Sequence, residues 1–274
     1  MTVREVIDKI IQKTGVPPLP YEKTCDRLIM GDYDQPVHRI ASTFMATVDV
    51  IEKAAQMGAD MIITHEPTWF TGMDDTGWLQ EDSVYQAKKQ LIEKYHIAIW
   101  RFHDHMHMGK EDGIFRGFDR EFGWENYHIP PCQGMEYFNC CYQIPETTVK
   151  ELALFFKKKL NMDVIQIVGN HEAKVSRVAV LVGGGSLGLG VEEMPMQMME
   201  KNNLDVAICG DITEWTLSAY VRDASQLGMN RAMIVLGHER SEEMGMKYLG
   251  EWLSDILPDV EVAFQDAGEP FTYL

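Results

Sequence analysis

Three short stretches of this 274-residue chain gather side chains that ligate metals. They are Thr64-His65-Glu66-Pro67, His103-Asp104-His105-Met106-His107 and Gly237-His238-Glu239-Arg240-Ser241-Glu242, and they hold five of the nine His. Imidazole mixed with carboxylate suits Zn, Mn, Fe, Co or Ni better than Ca or Mg. An ion held there could activate water. His238 and Glu242 are four residues apart, which puts both on one face of a helix that starts near His238. His103 and His107 have the same separation, on a helix or a turn. His65 and Glu66 are neighbours, so on a strand they would point apart; just past a strand end they can reach two ions. One His beside an acid means little, but three such groups, each after an apolar strand, point to metal binding.

The elements that must position them follow from periodicity. Apolar residues at Val3, Val6, Ile7, Ile10 and Ile11 predict a helix over 3–13, ended by Gly15-Val16-Pro17-Pro18-Leu19-Pro20. A strand over 39–43, a helix over 48–57 and a buried strand over 61–64 follow, then a helix over 83–94 and a strand over 97–102. The texture turns irregular after 117–124, up to Pro130-Pro131. Beyond it the pattern predicts helices over 146–160, 194–201, 214–227 and 242–256. Strands are predicted over 176–182, 206–209, 232–236 and 260–264. This rhythm is that of an α/β fold with a parallel core. In such sheets ligand sites collect beyond the carboxyl ends of strands, where all three groups fall. A boundary near 128–135 would give an N-terminal lobe of residues 1–130 with two groups and a C-terminal lobe of residues 131–274 with the third, unless the two form one intertwined unit.

Composition narrows the partners. Lys plus Arg number 25 against 42 Asp plus Glu, a net charge of −17. That argues against nucleic acid and anionic membranes, which need a local Lys/Arg excess, but not against a small phosphate-bearing ligand. The 45% hydrophobic content supports a substantial core. Five Cys without a CxxC pair read as buried thiols in a reducing compartment. The first residues form an amphipathic helix pattern rather than a leader, and no apolar run approaches the ~18 residues of a membrane span. The expected location is the cytoplasm.

Weaker motifs compete. Gly183-Gly184-Gly185-Ser186-Leu187-Gly188 lacks the Lys of a phosphate loop and reads first as a tight turn lining a cleft. Met194, Met196, Met198 and Met199 read as packing or an oligomer contact rather than a copper site. Gly169-Asn170-His171-Glu172 and Gly210-Asp211 echo a metallophosphoesterase, but in the wrong order and without its early Asp-x-His. An amidohydrolase barrel, suggested by His103-x-His105, needs more chain and more strands.

Taken in order, the motifs resemble the NIF-three-like family, also known as GTP cyclohydrolase I type 2 or NGG-interacting factor three-like, in a short form without an inserted middle domain. Cys25 to Asp32 is similar to its N-terminal Asp-Asn-x-Gly-Leu-x-x-Gly element, and Gly58 to Pro67 to its Gly-Ala-Asp-x-Ile-Ile-Thr-His-His-Pro signature. His103 to His107 stands at its His-x-x-x-Asp element, Val178 onward at its strand and Gly-Ser turn, Asp205 to Asp211 at its Asp-x-x-x-x-Gly-Asp/Glu stretch, and Gly237 to Glu242 at its Gly-His-x-x-x-Glu. The resemblance implies an α/β fold of two related lobes with mixed sheets flanked by helices, and a homo-oligomer, often a hexameric ring. It also implies a dinuclear centre of two divalent transition-metal ions. Carried over by position, the ligands are His65, Glu66, His103, His107, His238 and Glu242. Glu66 replaces a family His and His107 a family Asp, so the set keeps four His and two carboxylates. Asp104 becomes a partner behind a ligand, and His105 a spare imidazole.

The function expected from this resemblance is metal-dependent hydrolysis of a small molecule, with a nucleotide as the candidate substrate. Glu66 or Glu242 would shuttle the proton, and main-chain donors near Gly184, Gly185 and Ser186 would take substrate oxygens. The rival expectation is a non-enzymatic metal-binding scaffold or regulator.

Overall fold

The computed structural model of the protein describes residues 1–130 and 140–274. The chain divides into two compact units, Met1–Gly117 with Glu243–Gly268, and Phe118–Glu242 with Glu269–Leu274. The interval 128–135 singled out in the sequence lies partly outside the described residues.

The first unit is built on a five-stranded sheet. Its strands are β1 (Leu28–Met30), β2 (Arg39–Thr43), β3 (Met61–Thr64), β4 (Ala98–Arg101) and, from the far end of the chain, β10 (Glu261–Phe264). Their order is β1-β4-β3-β2-β10, with β1 antiparallel and the rest parallel. The helices around it are α1 (Val3–Thr14), α2 (Val48–Gln56), α3 (Ser83–Tyr95) and α4 (Asp104–Met108). Each start has a physical cause. Thr2 and Glu5 form a capping box on α1, while Thr47 and Asp82 cap α2 and α3 through their side chains. α1 ends where Gly15 takes the left-handed conformation, φ 75°. Ile62 and Ile99 of the sheet pack with Ile51, Ala54 and Ile92 of the helices into one dry core.

The second unit repeats the plan. β5 (Cys141–Thr148), β7 (Lys174–Leu181), β8 (Val206–Cys209), β9 (Ala232–Val235) and β6 (Gln166–Gly169) form a sheet in that order. β7, β8 and β9 are parallel, while both edge strands are antiparallel. The helices are α6 (Val149–Lys159), α7 (Met194–Lys201) and α8 (Leu217–Gln226). α6 begins three residues later than the pattern predicts, because residues 146–148 finish β5 and Thr148 with Glu151 makes the capping box. A helix that the sequence pattern does not mark, α5 (Gly113–Phe122), precedes the irregular residues 125–130, and its end belongs to an aromatic core. There Phe118, Phe122, Trp124, Tyr142 and Phe156 meet with ring centroids 4.6 to 6.5 Å apart.

α5 and α9 (His238–Lys247) each carry the chain from one unit to the other. The single helix expected over 242–256 is two, α9 and α10 (Leu249–Leu253), separated at Tyr248. Cys25, Cys140 and Cys209 are buried free thiols, and burial pushes the first two up to about 12, but Cys141 is disulfide-bonded, against the expectation of thiols throughout. Among the described residues no helix is long and apolar enough to cross a membrane.

Candidate metal sites

In the first unit the two parallel neighbours β3 and β4 end side by side, and their continuations carry His65, Glu66 and His103. His65 and Glu66 are fixed by their own backbone: both N–H groups donate to the Phe44 carbonyl, at 3.1 and 2.8 Å. The Thr64 hydroxyl closes the turn on the carbonyls of Phe44 and Glu66. His103 enters α4, and His107 follows one turn later. Asp26 starts that helix from outside it. Its carboxylate accepts the N–H groups of His103, Asp104 and His105 at 2.6, 2.8 and 2.9 Å.

These placements bring His65, His103 and His107 together. One ring nitrogen of each lies within 4.8 Å of the others. Their ring centroids are 4.6 to 5.1 Å apart, and His65 is fully buried. The other nitrogen of every ring is anchored. His65 Nδ1 donates to the Phe102 carbonyl at 3.1 Å, His103 Nδ1 to Asp104 at 2.9 Å and His107 Nδ1 to Asp112 at 2.9 Å. Carbonyl and carboxylate oxygens only accept, so each Nδ1 carries the proton and each Nε2 the lone pair. That is the tautomer a metal needs, with the outer partner that usually fixes it. Burial, reinforced by His65 and His107, lowers the pKa of His103, while Asp104 opposes the shift. Burial alone would raise Asp104, but hydrogen bonds from His103, Thr24 and Cys25 hold it well below the usual carboxylate range.

Glu66 is met by a buried cation. Arg101 Nη2 donates to Glu66 Oε2 at 3.0 Å, while Oε1 lies 3.6 Å from His103 Nε2. The same guanidinium donates to the carbonyls of His65 and Gly72. Its position follows from β4, where Arg101 is the last residue.

In the second unit His238 opens α9, as the spacing required, and Glu242 follows one turn on with Oε2 3.1 Å from His238 Nε2. Asp211, just past β8, accepts from His238 Nδ1 at 2.8 Å. The glycine turn after β7 closes over this pair. A Cβ on Gly183 would lie 2.7 Å from His238 Nε2 and nearer still to Glu242, and its φ of +49° disfavours any side chain. Gly183 thus leaves room at two donor atoms, which a phosphate-loop reading does not explain.

The remaining predicted residues fall as follows. Asp104 is the anchor of His103. His105 is not spare: its ring nitrogens contact Asp26 at 2.6 Å and the Pro17 carbonyl at 3.3 Å. Among the substrate candidates, the Gly185 N–H donates to Val182 and the Ser186 hydroxyl to the Asp211 carbonyl. Gly184 is partly exposed at the start of the turn. His171 of the phosphoesterase-like motif sits exposed in the turn between β6 and β7. Asp26, Asp112 and Asp211 went unassigned as anchors in the sequence. Asp112 lies five residues past His107, outside any ligand spacing that would mark it.

The donor set fits a divalent transition metal. In the first unit three imidazoles have their Nδ1 atoms fixed beside Glu66; in the second, His238 is fixed the same way beside Glu242, with a side-chain-free position at Gly183. The histidine and acidic groups of the first unit are therefore able to bind metal.

The family model described as Duf34/NIF3 (NGG1p interacting factor 3) matches residues 1–270. The GTP cyclohydrolase 1 type 2 homolog of Clostridium perfringens is 24% identical over 254 residues, covering 90% of each chain. That of Chlamydia muridarum is 24% identical over 252 residues, 89% of this chain and 90% of its own. In fold, Staphylococcus aureus protein SA1388 matches with a TM-score of 0.75 at 18% identity, over 100% of this chain and 99% of its own. A Bacillus cereus protein related to NIF3 matches with a TM-score of 0.74 at 16% identity and the same coverage. The two mixed sheets with flanking helices are thus those of NIF3 proteins, and the chain belongs to the Duf34/NIF3 family.

Proposed function

We propose that the chain is a metal-dependent hydrolase acting on a small molecule. His65, Glu66, His103 and His107 of the first unit and His238 with Glu242 of the second would hold two divalent transition-metal ions per chain. The observation that carries this reading is the anchoring of His65, His103 and His107 through Nδ1, with the rings clustered. Ions bound there supply Lewis acidity and a lowered pKa for coordinated water. The chain's own part is to hold the imidazoles in one tautomer and to keep Glu66 Oε2 on Arg101, so that Oε1 is the oxygen turned to His103. Glu66 Oε1 and Glu242 Oε2 are the proposed sites for taking up and returning a proton. For a GTP-like substrate the reaction is addition of water at the purine C8 and opening of the imidazole ring. The names of the curated relatives support that class of substrate. The resemblance extends the proposal to a cytoplasmic homo-oligomer, a hexameric ring.

The second reading is a metal-binding scaffold without turnover. What favours it is the lack of a reactive nucleophile among the described residues of the first group: the Cys25 thiol, 3.5 Å from Asp104, is pushed up to about 12 by burial. Elemental analysis and turnover separate the readings. The purified protein should carry two ions per chain, and His65→Ala and His238→Ala should each lose metal. Unchanged metal content in both variants would sink the ligand assignment. Hydrolysis of GTP, phosphoesters or cyclic amides that His103→Ala abolishes supports the enzyme; no turnover with any metal supports the scaffold.

A further inference from the structure

A cavity of about 240 Å³ opens in the first unit. α4 lends it His105 and Met106 but none of the proposed metal ligands. Phe102, Met106, Leu249 and Trp252 form its apolar wall, and the rings of Phe102 and Trp252 lie nearly parallel, 6.2 Å apart. Around that wall stand Lys13, Lys110 and Arg116, with Glu111 the lining acid. Three cations to one acid reverse the balance of the whole chain, which has 25 Lys and Arg against 42 acids.

The cations are not equally engaged. Lys13 is ion-paired with the exposed Asp255. The Arg116 guanidinium lies 5.0 Å from the Trp252 ring centroid. Among the described residues its side chain makes no hydrogen bond or ion pair, and neither does that of Lys110. A guanidinium is a planar fork of donors with no acceptor of its own. Half-buried against an aromatic face, with Glu111, Asp112 and Glu251 near enough to feel its charge but none bonded to it, it keeps its donors for a planar or tetrahedral oxyanion. The cavity falls below the ~300 Å³ at which sites for drug-sized ligands begin, so the body of such a ligand is about one ring.

We propose that this cavity binds a small anion with a flat apolar body, an aromatic carboxylate or an aryl phosphate ester. The ring would lie against Phe102, Met106 and Trp252, and its oxyanion would meet Arg116 and Lys110.

Calorimetric titration of the purified, metal-containing protein with benzoate, phenyl phosphate and inorganic phosphate tests this. At least one of the two aromatic anions should bind saturably. Inorganic phosphate, which cannot use the apolar wall, should bind about tenfold more weakly or not at all. Arg116→Gln should weaken the aromatic anion by about tenfold or more, and the exposed Lys110→Gln by a smaller factor. His65→Ala, which removes a proposed metal ligand, should leave the affinity unchanged. Whichever of benzoate and phenyl phosphate binds more tightly identifies the oxyanion. Three results overturn the proposal: no binding of either aromatic anion, equal binding of inorganic phosphate, or loss in His65→Ala with retention in Arg116→Gln. Near-ultraviolet circular dichroism checks that each variant is folded. If Arg116→Gln is not, Lys110→Gln decides alone, and wild-type affinity there also overturns it.

Discussion

Metal affinity at the residue scale depends on atoms that never touch the metal. Asp112 shows how. One oxygen accepts the N–H groups of Ile114 and Phe115 at 2.8 and 3.2 Å and so starts α5; the other accepts His107 Nδ1 at 2.9 Å. Asp112→Asn would keep the helix start, because Asn caps as well as Asp. With its amide oxygen on those N–H groups, the NH₂ faces His107. A donor there favours the tautomer with the lone pair on Nδ1 and the proton on Nε2, the atom proposed to bind metal. Metal affinity should therefore fall about 10- to 100-fold with little change in thermal stability. A competition titration against a chelator measures it. Unchanged affinity would mean that His107 takes no part, or that Asp112 is only a helix cap.

At the scale of elements, strands and their ends were the legible part. β2, β3 and β8 coincide with the apolar β-branched runs, because a strand buried on both faces has nothing else to display. His65, His103 and His238 were legible for the same reason, as polar residues at the ends of such runs. Anchors were not: Asp26, Asp112 and Asp211 look like any loop acid until the chain is folded. α5 was missed because Gly113, Gly117 and Gly123 punctuate its aromatic spacing. Gly117 has a packing cause, since a Cβ there would strike the backbone of Met244. β10 was legible as a strand but not as a neighbour of β2, a parallel pairing more than two hundred residues apart that no local pattern encodes. The glycine turn was legible as a turn and not as a wall of the His238–Glu242 pair. Gly183→Ala tests that role. The added methyl meets Glu242 and His238 at a φ of +49°, so metal content should fall. Strain should also cost on the order of 1 to 3 kcal/mol. Gly184→Ala, whose Cβ would meet nothing closer than 3.9 Å, should change neither. Equal effects of the two would remove Gly183 from the site.

Charge decides one property of the molecule as a whole. At −17 the chain repels itself, and raising the pH adds to that repulsion. Lys88 works in the opposite direction. It is buried on α3, with Nζ 2.8 Å from the Thr68 carbonyl. Burial lowers its pKa from 10.5 to about 8, against the pull of Asp74. The native state therefore binds fewer protons at Lys88 than the unfolded chain between about pH 8 and 10.5, and stability rises with pH across that window. Below it Lys88 is protonated in both states and the burial cost is fully present; above it Lys88 is neutral in both and the cost is gone. The size is on the order of 3 kcal/mol over the window. Lys88→Met keeps length and apolar contact but cannot titrate. It also leaves the Thr68 carbonyl unmatched, so its absolute stability is not the informative quantity. Denaturant unfolding of both chains at a series of pH values supplies the one that is: wild-type stability minus variant stability. Self-repulsion rises in nearly the same way in both and cancels. That difference should climb between pH 8 and 10.5, and a flat line would show that Lys88 keeps the proton affinity of an ordinary surface lysine.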